Sequence, residues 1–296
     1  GIQEYVIRVV KKVPLHPLRV ISMPSDPVCE IVRLKIPDQF YQTIPGVEVI
    51  ETTPDKMESL QQIMEEKASI LLMQRTEFSN KVSELNTINF MAEKNRVLLH
   101  EFDDCPMRWD ASYSQRNYIE FRAFHGIQTS TPLLGNYFQQ YNPNVLIFPN
   151  ELEYLPPERA YAHQDDQVTI FYGALNRTED WQDIMPVLNE VASRYGNRIH
   201  FKITADRQFY EALHTSQKEY VGEQYNEGNY APYDLYKDVL YSADIALLPL
   251  KDNLFNRMKS DLKFIESAAH GAVVLASPTV YEATVRDGRT GFLYRN

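Results

Sequence analysis

Residues 259–278 read KSDLKFIESAAHGAVVLASP and carry the clearest structural pattern of the chain. Apolar residues recur there at helical spacing around one carboxylate, Glu266, and this periodicity stops at Gly271. A glycine in this place supplies the left-handed residue that commonly ends a helix. The apolar run that follows, residues 272–276, is short and is closed by Ser277 and Pro278. The stretch therefore predicts a helix followed at once by a buried strand.

Short apolar runs alternate with longer amphipathic segments along the whole chain, a pattern typical of βαβ units with a parallel sheet. The strands predicted in the first half are 19–23, 47–51, 69–74, 96–102, 126–130 and 145–148. Those predicted in the second half are 168–172, 200–204, 219–222, 244–249, 272–276 and 292–294. The sequence thus predicts an α/β protein with two consecutive Rossmann-like domains.

Helices are predicted between these strands. They are 31–43, 56–66, 78–94, 115–124 and 133–140 in the first half, and 178–195, 207–213, 233–242, 260–270 and 280–286 in the second. Residues 149–166 contain Pro149, Pro156 and Pro157 and show no sustained periodicity. We therefore predict the domain junction here, with domains at 1–150 and 151–296.

Composition excludes several classes of protein. The 296 residues are 44% hydrophobic, which is enough to bury a core in each domain, and the net charge of −10 argues against nonspecific nucleic-acid binding. Cys29 and Cys105 lack metal-ligand spacing and fit a reducing compartment. No apolar run is long enough for a transmembrane helix and no leader segment is evident, so a cytoplasmic protein is expected. Glycine-rich nucleotide loops and the hydrolase and zinc-protease motifs are also absent from the sequence.

The second half resembles the donor half of retaining glycosyltransferases of the GT-B fold, family four in the usual classification. The resemblance is carried, in order, by Glu266 and Gly271 on the predicted helix, by the strand at 272–276 and by the tail DGRTGF at 287–292. It implies two facing Rossmann-like domains, with the acceptor on residues 1–150 and the nucleotide-sugar donor on residues 151–296.

Seven residues are expected on the donor side: Gly173, Arg177, Asn256, Arg257, Lys259, Ser260 and Glu266. Gly173 lets the backbone approach a ligand closely, and the forked guanidinium of Arg177 suits a phosphate. The residues from 256 to 260 gather before a helix N-terminus, which attracts anions. The resemblance implies that Glu266 accepts hydrogen bonds from the ribose.

The chain also departs from the family pattern. Arg177 is not followed by the Lys-Gly pair of relatives, and Met258 stands eight residues before Glu266, where relatives often carry a first carboxylate for the transferred sugar. Other interpretations of these residues remain open. Arg177 can pair with the acid at position 179 or 180, Ser260 can cap the helix in a solvated loop, and Glu266 can be a surface carboxylate.

On the acceptor side, polar residues follow the predicted strands. Arg75 comes after the third strand, and Asp103 and Asp104 come after the fourth, so these three are the candidate catalytic residues. The adjacent acids differ in spacing from the D-x-D metal motif of the other glycosyltransferase fold, and they can instead cap the next turn. His100 lies within a strand and is expected to be a core or interface histidine.

The sequence therefore predicts a hexosyl- or related glycosyltransferase of polysaccharide biosynthesis, acting from a nucleotide-diphosphate sugar onto a glycan or lipid-linked acceptor. The resemblance implies that the sugar is transferred with retention of configuration and that the departing phosphate accepts the acceptor's proton. It also implies that no metal is required. Two alternatives remain: a catalytically silent nucleotide-binding module of a larger protein, and a nucleotide-sugar epimerase of the same fold. Relatives continue beyond the last strand, so a truncated C-terminal part and additional domains of a longer chain are expected.

Overall fold

The computed structural model describes residues 18–25, 29–52, 69–77, 89, 96–159, 167–222 and 232–295. The chain divides into two compact units, Gly1–Pro149 and Asn150–Asn296. The predicted helices 56–66 and 78–94 lie outside the described residues, apart from position 89. Among the residues that are described, no helix is long and apolar enough to cross a membrane.

The first unit is built on a six-stranded parallel sheet with strand order β2-β1-β3-β4-β5-β6. The strands are β1 Leu18–Met23, β2 Val47–Glu51, β3 Ser69–Gln74, β4 Val97–Glu101, β5 Gly126–Thr129 and β6 Val145–Ile147. The described helical segments are a π-helical turn at Ile31–Lys35, a 3-10 turn at Pro106–Trp109, and α-helices at Ile36–Tyr41, Asp110–Gln115, Ile119–Arg122 and Pro132–Phe138.

The second unit repeats this plan with strand order β12-β11-β10-β7-β8-β9, again all parallel. Its strands are β7 Val168–Gly173, β8 Ile199–Thr204, β9 Lys218–Tyr220, β10 Ile245–Leu248, β11 Val273–Ala276 and β12 Phe292–Leu293. Its α-helices are Thr178–Trp181, Met185–Tyr195, Arg207–Ala212, Tyr233–Ser242, Leu254–Arg257, Leu262–Ala269 and Pro278–Tyr281, with a 3-10 turn at Gly196–Arg198.

The second sheet is covered on both faces, as the side chains of β7 show. Ile170 and Tyr172 belong to one hydrophobic cluster, together with Trp181 and Phe209, whereas Phe171 belongs to a second cluster. Successive side chains of a strand point to opposite faces, so a strand between two helical layers needs apolar residues at every position. This packing produces the three-layer α/β unit that the sequence predicts.

Two predicted helices are interrupted in the structure. The segment 115–124 is broken because Asn117 and Tyr118 adopt positive φ angles of 57° and 53°, so one helix ends at Gln115 and the next begins at Ile119. The predicted helix 178–195 ends first at Trp181 and resumes at Met185. Apolar periodicity continues across both breaks, which is why the sequence pattern did not reveal them.

The stretch that predicted the fold has the expected local structure. Its helix spans Leu262–Ala269, and Gly271 has a φ of 83°, the left-handed conformation that ends it. Strand β11 follows directly and pairs with β10 and β12. A Cβ added to Gly291 would lie 2.9 Å from the Val274 carbonyl oxygen, so only glycine lets the tail pack this close to β11.

Candidate functional site

In open parallel sheets, ligands bind beyond the carboxyl ends of the strands. In the second unit this edge carries the loop after β7, the loop after β10 and the helix Leu262–Ala269 that this loop enters. Gly173 ends β7, Arg177 lies on the loop after it, Asn256, Arg257, Lys259 and Ser260 lie on the segment after β10, and Glu266 lies on the helix. The structure of the second unit therefore brings several of them together.

Gly173 closes β7, and its lack of a side chain is required by packing. A Cβ there would lie 2.4 Å from Cζ of Phe171 and 2.7 Å from Oγ1 of Thr204. Its carbonyl oxygen accepts a hydrogen bond from Nζ of Lys263. The sequence analysis predicted that the backbone at Gly173 approaches a ligand closely. In the structure, the groups close to this backbone are those of Phe171, Thr204 and Lys263 in the same unit.

Arg177 and Asn256 belong to one hydrogen-bonded network. Nη1 of Arg177 donates to Oδ1 of Asn256 at 2.9 Å and lies 3.4 Å from Oδ2 of Asp180. The amide nitrogen of Asn256 donates to Oδ1 of Asp180 at 2.6 Å and to the carbonyl of Lys251 at 2.9 Å. Asn256 is 1% exposed, so its amide orients Arg177 and joins the two loops. Arg177 thus pairs with Asp180, one of the two neighbouring acids that the sequence analysis left open as its partner.

The residues expected to crowd one helix N-terminus are distributed over two elements. Asn256 and Arg257 belong to a separate short helix, Leu254–Arg257, and the helix of Glu266 begins only at Leu262. Arg257 forms an exposed two-point ion pair with Asp252, at 2.5 and 2.7 Å.

Ser260 does not cap the helix of Glu266, because the cap residue is Asp261 and makes no side-chain capping bond. The Ser260 hydroxyl instead accepts a hydrogen bond from Nδ2 of Asn150 at 2.8 Å. The expectation of a single cationic helix terminus is therefore corrected.

Cations nevertheless converge on this edge. The Phe255 ring has the guanidinium of Arg177 at 5.3 Å on its face and Nζ of Lys259 at 4.5 Å. Lys263, which the sequence analysis did not single out, joins them from the helix. Burial lowers the pKa of Lys263 to about 8; Glu266 opposes this shift, and Arg177 and Lys259 reinforce it. Because Arg177 and Lys259 both lower the pKa of Lys263, the three positive charges lie in one region.

The signal that would have found Lys263 is its spacing from Glu266. Residues three apart on a helix lie on the same face, so a buried Glu266 predicts that position 263 lies close to it. In isolation the pattern K-x-x-E is common on helix surfaces, where it is a solvated pair of little energetic value. Only the burial of this helix face distinguishes the two cases.

Glu266 is not a surface residue. It is 4% exposed, and both carboxylate oxygens accept hydrogen bonds: Oε1 from the hydroxyl of Tyr233 at 2.6 Å and Oε2 from the hydroxyl of Tyr236 at 3.1 Å. Burial raises the pKa of Glu266, and the bond from Tyr233 is the largest opposing effect, followed by the charge of Lys263. His270 ends the helix, as expected, and its Nδ1 lies 2.7 Å from the Glu266 carbonyl oxygen.

In the first unit, the predicted acceptor-side residues form an ion-paired cluster. Arg75 contacts Oδ1 of Asp103 through Nε at 2.9 Å and through Nη2 at 2.8 Å, and Oδ2 of Asp104 lies 3.9 Å from Nη2. Nη2 also lies 3.1 Å from the sulfur of Cys29. Oδ1 of Asp104 accepts the backbone N–H of Cys105, so the turn-forming interpretation holds for this acid. The three side chains are between 12% and 16% exposed.

A buried ion pair underlies this cluster and was not predicted. Nε of Arg33 donates to Oε1 of Glu101 at 2.7 Å, and Nη1 donates to the carbonyl of Phe148 at 2.7 Å. Burial raises the pKa of Glu101, Asp103 adds to the rise, and Arg33 opposes it. The predicted core assignment of His100 is confirmed, since it is fully buried beside aromatic rings and burial lowers its pKa to about 3.

Within the described part of the chain, no group of three or more histidine, cysteine or acidic side chains is arranged to hold a metal ion.

No protein-family model matches the sequence, and no curated protein matches it. Solved structures do match the architecture. The glycosyltransferase from Rickettsia africae ESF-5 aligns with a TM-score of 0.60 at 13% identity, over 95% of this chain and 84% of that one.

The chain has the GT-B fold. Its two parallel six-stranded sheets are the Rossmann-like units of that fold. The pneumococcal O-GlcNAc transferase GtfA, solved with UDP and GlcNAc, aligns over 81% of this GT-B chain with a TM-score of 0.54 at 12% identity. A putative UDP-N-acetylglucosamine 2-epimerase from Listeria monocytogenes aligns over 88% of this chain and 79% of that one, with a TM-score of 0.54 at 9% identity. The chain spans about half the length of GtfA, 48%.

Proposed function

We propose that this chain is a glycosyltransferase that takes a hexosyl group from a nucleotide-diphosphate sugar held at the strand ends of the second unit. The observation that carries the proposal is the gathering of Arg177, Lys259 and Lys263 around the end of β7, beside the buried carboxylate of Glu266. Like charges brought this close repel one another, and a diphosphate relieves the repulsion. The solved transferases of the same fold support the proposal at the level of architecture.

In this proposal the three cations hold the diphosphate and stabilise the negative charge that builds on it as the sugar leaves. Asn256 and Asp180 fix the position of Arg177, and the Gly173 carbonyl fixes that of Lys263. A charge positioned before the reaction needs no reorganisation while the bond breaks, which is the source of its catalytic value. The site therefore stabilises the leaving group without a metal ion.

Glu266 binds the ribose in this proposal. A carboxylate oxygen accepts hydrogen bonds from hydroxyl groups, so Glu266 can bind a hydroxyl of the ribose. Tyr233, Tyr236 and Lys263 all favour its ionised form in spite of its burial. The residue that the sequence resemblance places on the ribose is thus a buried carboxyl group on the same helix as Lys263.

For the acceptor, we propose a glycan or lipid-linked hydroxyl bound at the strand ends of the first unit, near Arg75, Asp103 and Asp104. These residues form a compact polar surface at the ends of β3 and β4. Transfer proceeds with retention, and the departing phosphate accepts the proton of the acceptor hydroxyl. The ion pair with Arg75 holds the carboxylate of Asp103 in one place, which supports a positioning role for it.

Two alternatives have observations in their favour. The architecture also matches a putative 2-epimerase, which acts on a nucleotide sugar by itself. Met258 stands where family members often carry a first carboxylate for the transferred sugar, which favours a binding module without catalysis. Epimerisation of the donor in the absence of any acceptor would support the first alternative. Nucleotide binding with neither hydrolysis nor transfer would support the second.

The first test is a thermal-shift screen with UDP, GDP, ADP and dTDP, each with and without a chelator. A ligand that binds the native state raises the melting temperature by mass action. We expect one nucleoside diphosphate to stabilise the chain equally in chelator, and we expect Glu266→Ala to weaken that binding about tenfold to a hundredfold. Release of the nucleotide from its sugar then tests transfer. Stabilisation that depends on magnesium or manganese would contradict the proposed cationic site.

A further inference from the structure

The two tyrosines that hold Glu266 differ in their surroundings. Both lie on the helix Tyr233–Ser242, and their rings are stacked with centroids 6.1 Å apart. Tyr236 packs against Phe171, whose ring centroid lies 5.8 Å away, and it lines the hydrophobic cluster of that sheet face. Tyr236 is therefore fixed by the core of the unit.

Tyr233, unlike Tyr236, is not among the described residues that pack against that hydrophobic cluster. It is the first residue of the helix, directly after Pro232, and its side chain is half-buried. Its ring lies under Nζ of Lys237, 5.0 Å from the centroid, and Lys237 is itself paired with Asp234. Yet its hydroxyl makes the shorter bond to Glu266, 2.6 Å against 3.1 Å for Tyr236. The stronger partner of the carboxylate is thus the one nearer the surface.

We propose that the Tyr233 hydroxyl occupies, in the unliganded chain, the position that a ribose hydroxyl takes on Oε1 of Glu266, and that the donor displaces it. Tyr236 remains as the permanent partner on Oε2. This inference rests on the proposed donor function of Glu266. It adds a specificity-determining residue to that site.

The displacement has a physical consequence for which nucleotides bind. A buried carboxylate that loses a hydrogen bond incurs its desolvation cost unless an equivalent donor replaces it. A ribose hydroxyl restores the bond that Tyr233 gives up, whereas a sugar without that hydroxyl does not. Tyr233 therefore lowers the affinity for every nucleotide, and most for those that lack the hydroxyl.

The test compares single-hydroxyl deletions by calorimetric titration with UDP, GDP and ADP. Tyr233→Phe removes the competitor but keeps the ring stack, so binding of the recognised nucleotide should tighten by roughly three- to tenfold. Tyr236→Phe removes the permanent partner and should weaken binding by a similar factor. The matched control is Tyr241→Phe, the same change on the exposed part of the same helix, which should leave binding unaltered.

Inorganic pyrophosphate separates the ribose from the phosphates. It has no ribose, so Tyr233→Phe should leave its affinity unchanged, and this comparison holds even if Tyr236→Phe fails to fold. Weaker or unchanged nucleotide binding in Tyr233→Phe overturns the inference while leaving the donor site intact. Wild-type affinity in Glu266→Gln, or no binding of any of the three nucleotides, overturns the proposed donor site and the inference with it.

Discussion

The strand ends of the two sheets carry clusters of different electrostatic balance. In the first unit, two cations are paired with three acids: Arg33 with Glu101, and Arg75 with Asp103 and Asp104. In the second unit, three cations share one region with two acids: Arg177, Lys259 and Lys263 with Asp180 and Glu266. Both clusters lie beyond the carboxyl ends of strands in a parallel sheet, after β3 and β4 in the first unit and after β7 and β10 in the second.

We infer from this difference that the strand ends set where each cluster lies and that its charge balance sets which ligand it would attract. A cluster whose cations are all paired with acids stabilises the unit that contains it. A cluster with surplus positive charge keeps an unfavourable repulsion that an anion removes. The first unit should therefore respond to mutation mainly in stability, and the second mainly in nucleotide binding.

The largest effect is expected for Arg33→Met, which removes the cation of the buried pair and leaves Glu101 uncompensated. Breaking such a pair costs about 3–5 kcal/mol of unfolding free energy, because a buried charge loses its partner. Denaturant unfolding measures the loss. Arg19→Met is the matched control, since its partner Glu48 is 45% exposed and such a pair contributes about 1 kcal/mol or less. Equal losses in the two variants would show that the first cluster is not a stabilising network.

The next effect concerns the cationic surplus. Lys263→Gln keeps most of the side-chain volume but removes the buried charge, and nucleoside diphosphate affinity should fall about tenfold to a hundredfold. Binding of the nucleoside alone should change little. Lys202→Gln is the control, because Lys202 lies in the same unit and bonds to Ser242 instead. If Lys263→Gln binds the diphosphate like the wild type, the phosphate site lies elsewhere.

The pH profile should follow Lys263 as well. Its pKa is lowered to about 8 by burial, so it is charged at pH 7 and becomes neutral as the pH rises through 8. Only the charged form attracts a diphosphate, so affinity should fall by about tenfold between pH 7 and pH 9. The same titration of Lys263→Gln should be flat over this range. A parallel fall in the variant would assign the dependence to another group.

The smallest effect is expected for Arg257→Ala. Its ion pair with Asp252 is exposed on both sides, at 56% and 60%, and exposed pairs contribute little. Nucleotide affinity should change by less than about twofold. A loss as large as that of Lys263→Gln would return Arg257 to the phosphate site, where the sequence analysis placed it. Comparing Arg257→Ala with Lys263→Gln therefore tests which of these cations contributes to diphosphate binding.

The elements of the fold were largely predictable from sequence. Every predicted strand is present within two residues at each end, because strands buried between helical layers give apolar runs that need no knowledge of their neighbours. The helix breaks near Asn117 and after Trp181 were not predictable in this way. They depend on backbone angles and packing that leave the apolar periodicity unchanged.

The amino-acid sequence is sufficient to predict the two α/β units, the helix and strand around Glu266, and the cap at Gly271. These features depend on spacing along a few turns of chain, which local propensity and periodicity encode. The hydrogen bonds and charges of the candidate site depend instead on the tertiary structure. Tyr233 reaches Glu266 across 33 positions, and Asn256 reaches Asp180 across 76. Such contacts, and the burial that accompanies them, form only when distant segments pack together. Local sequence patterns therefore do not predict them.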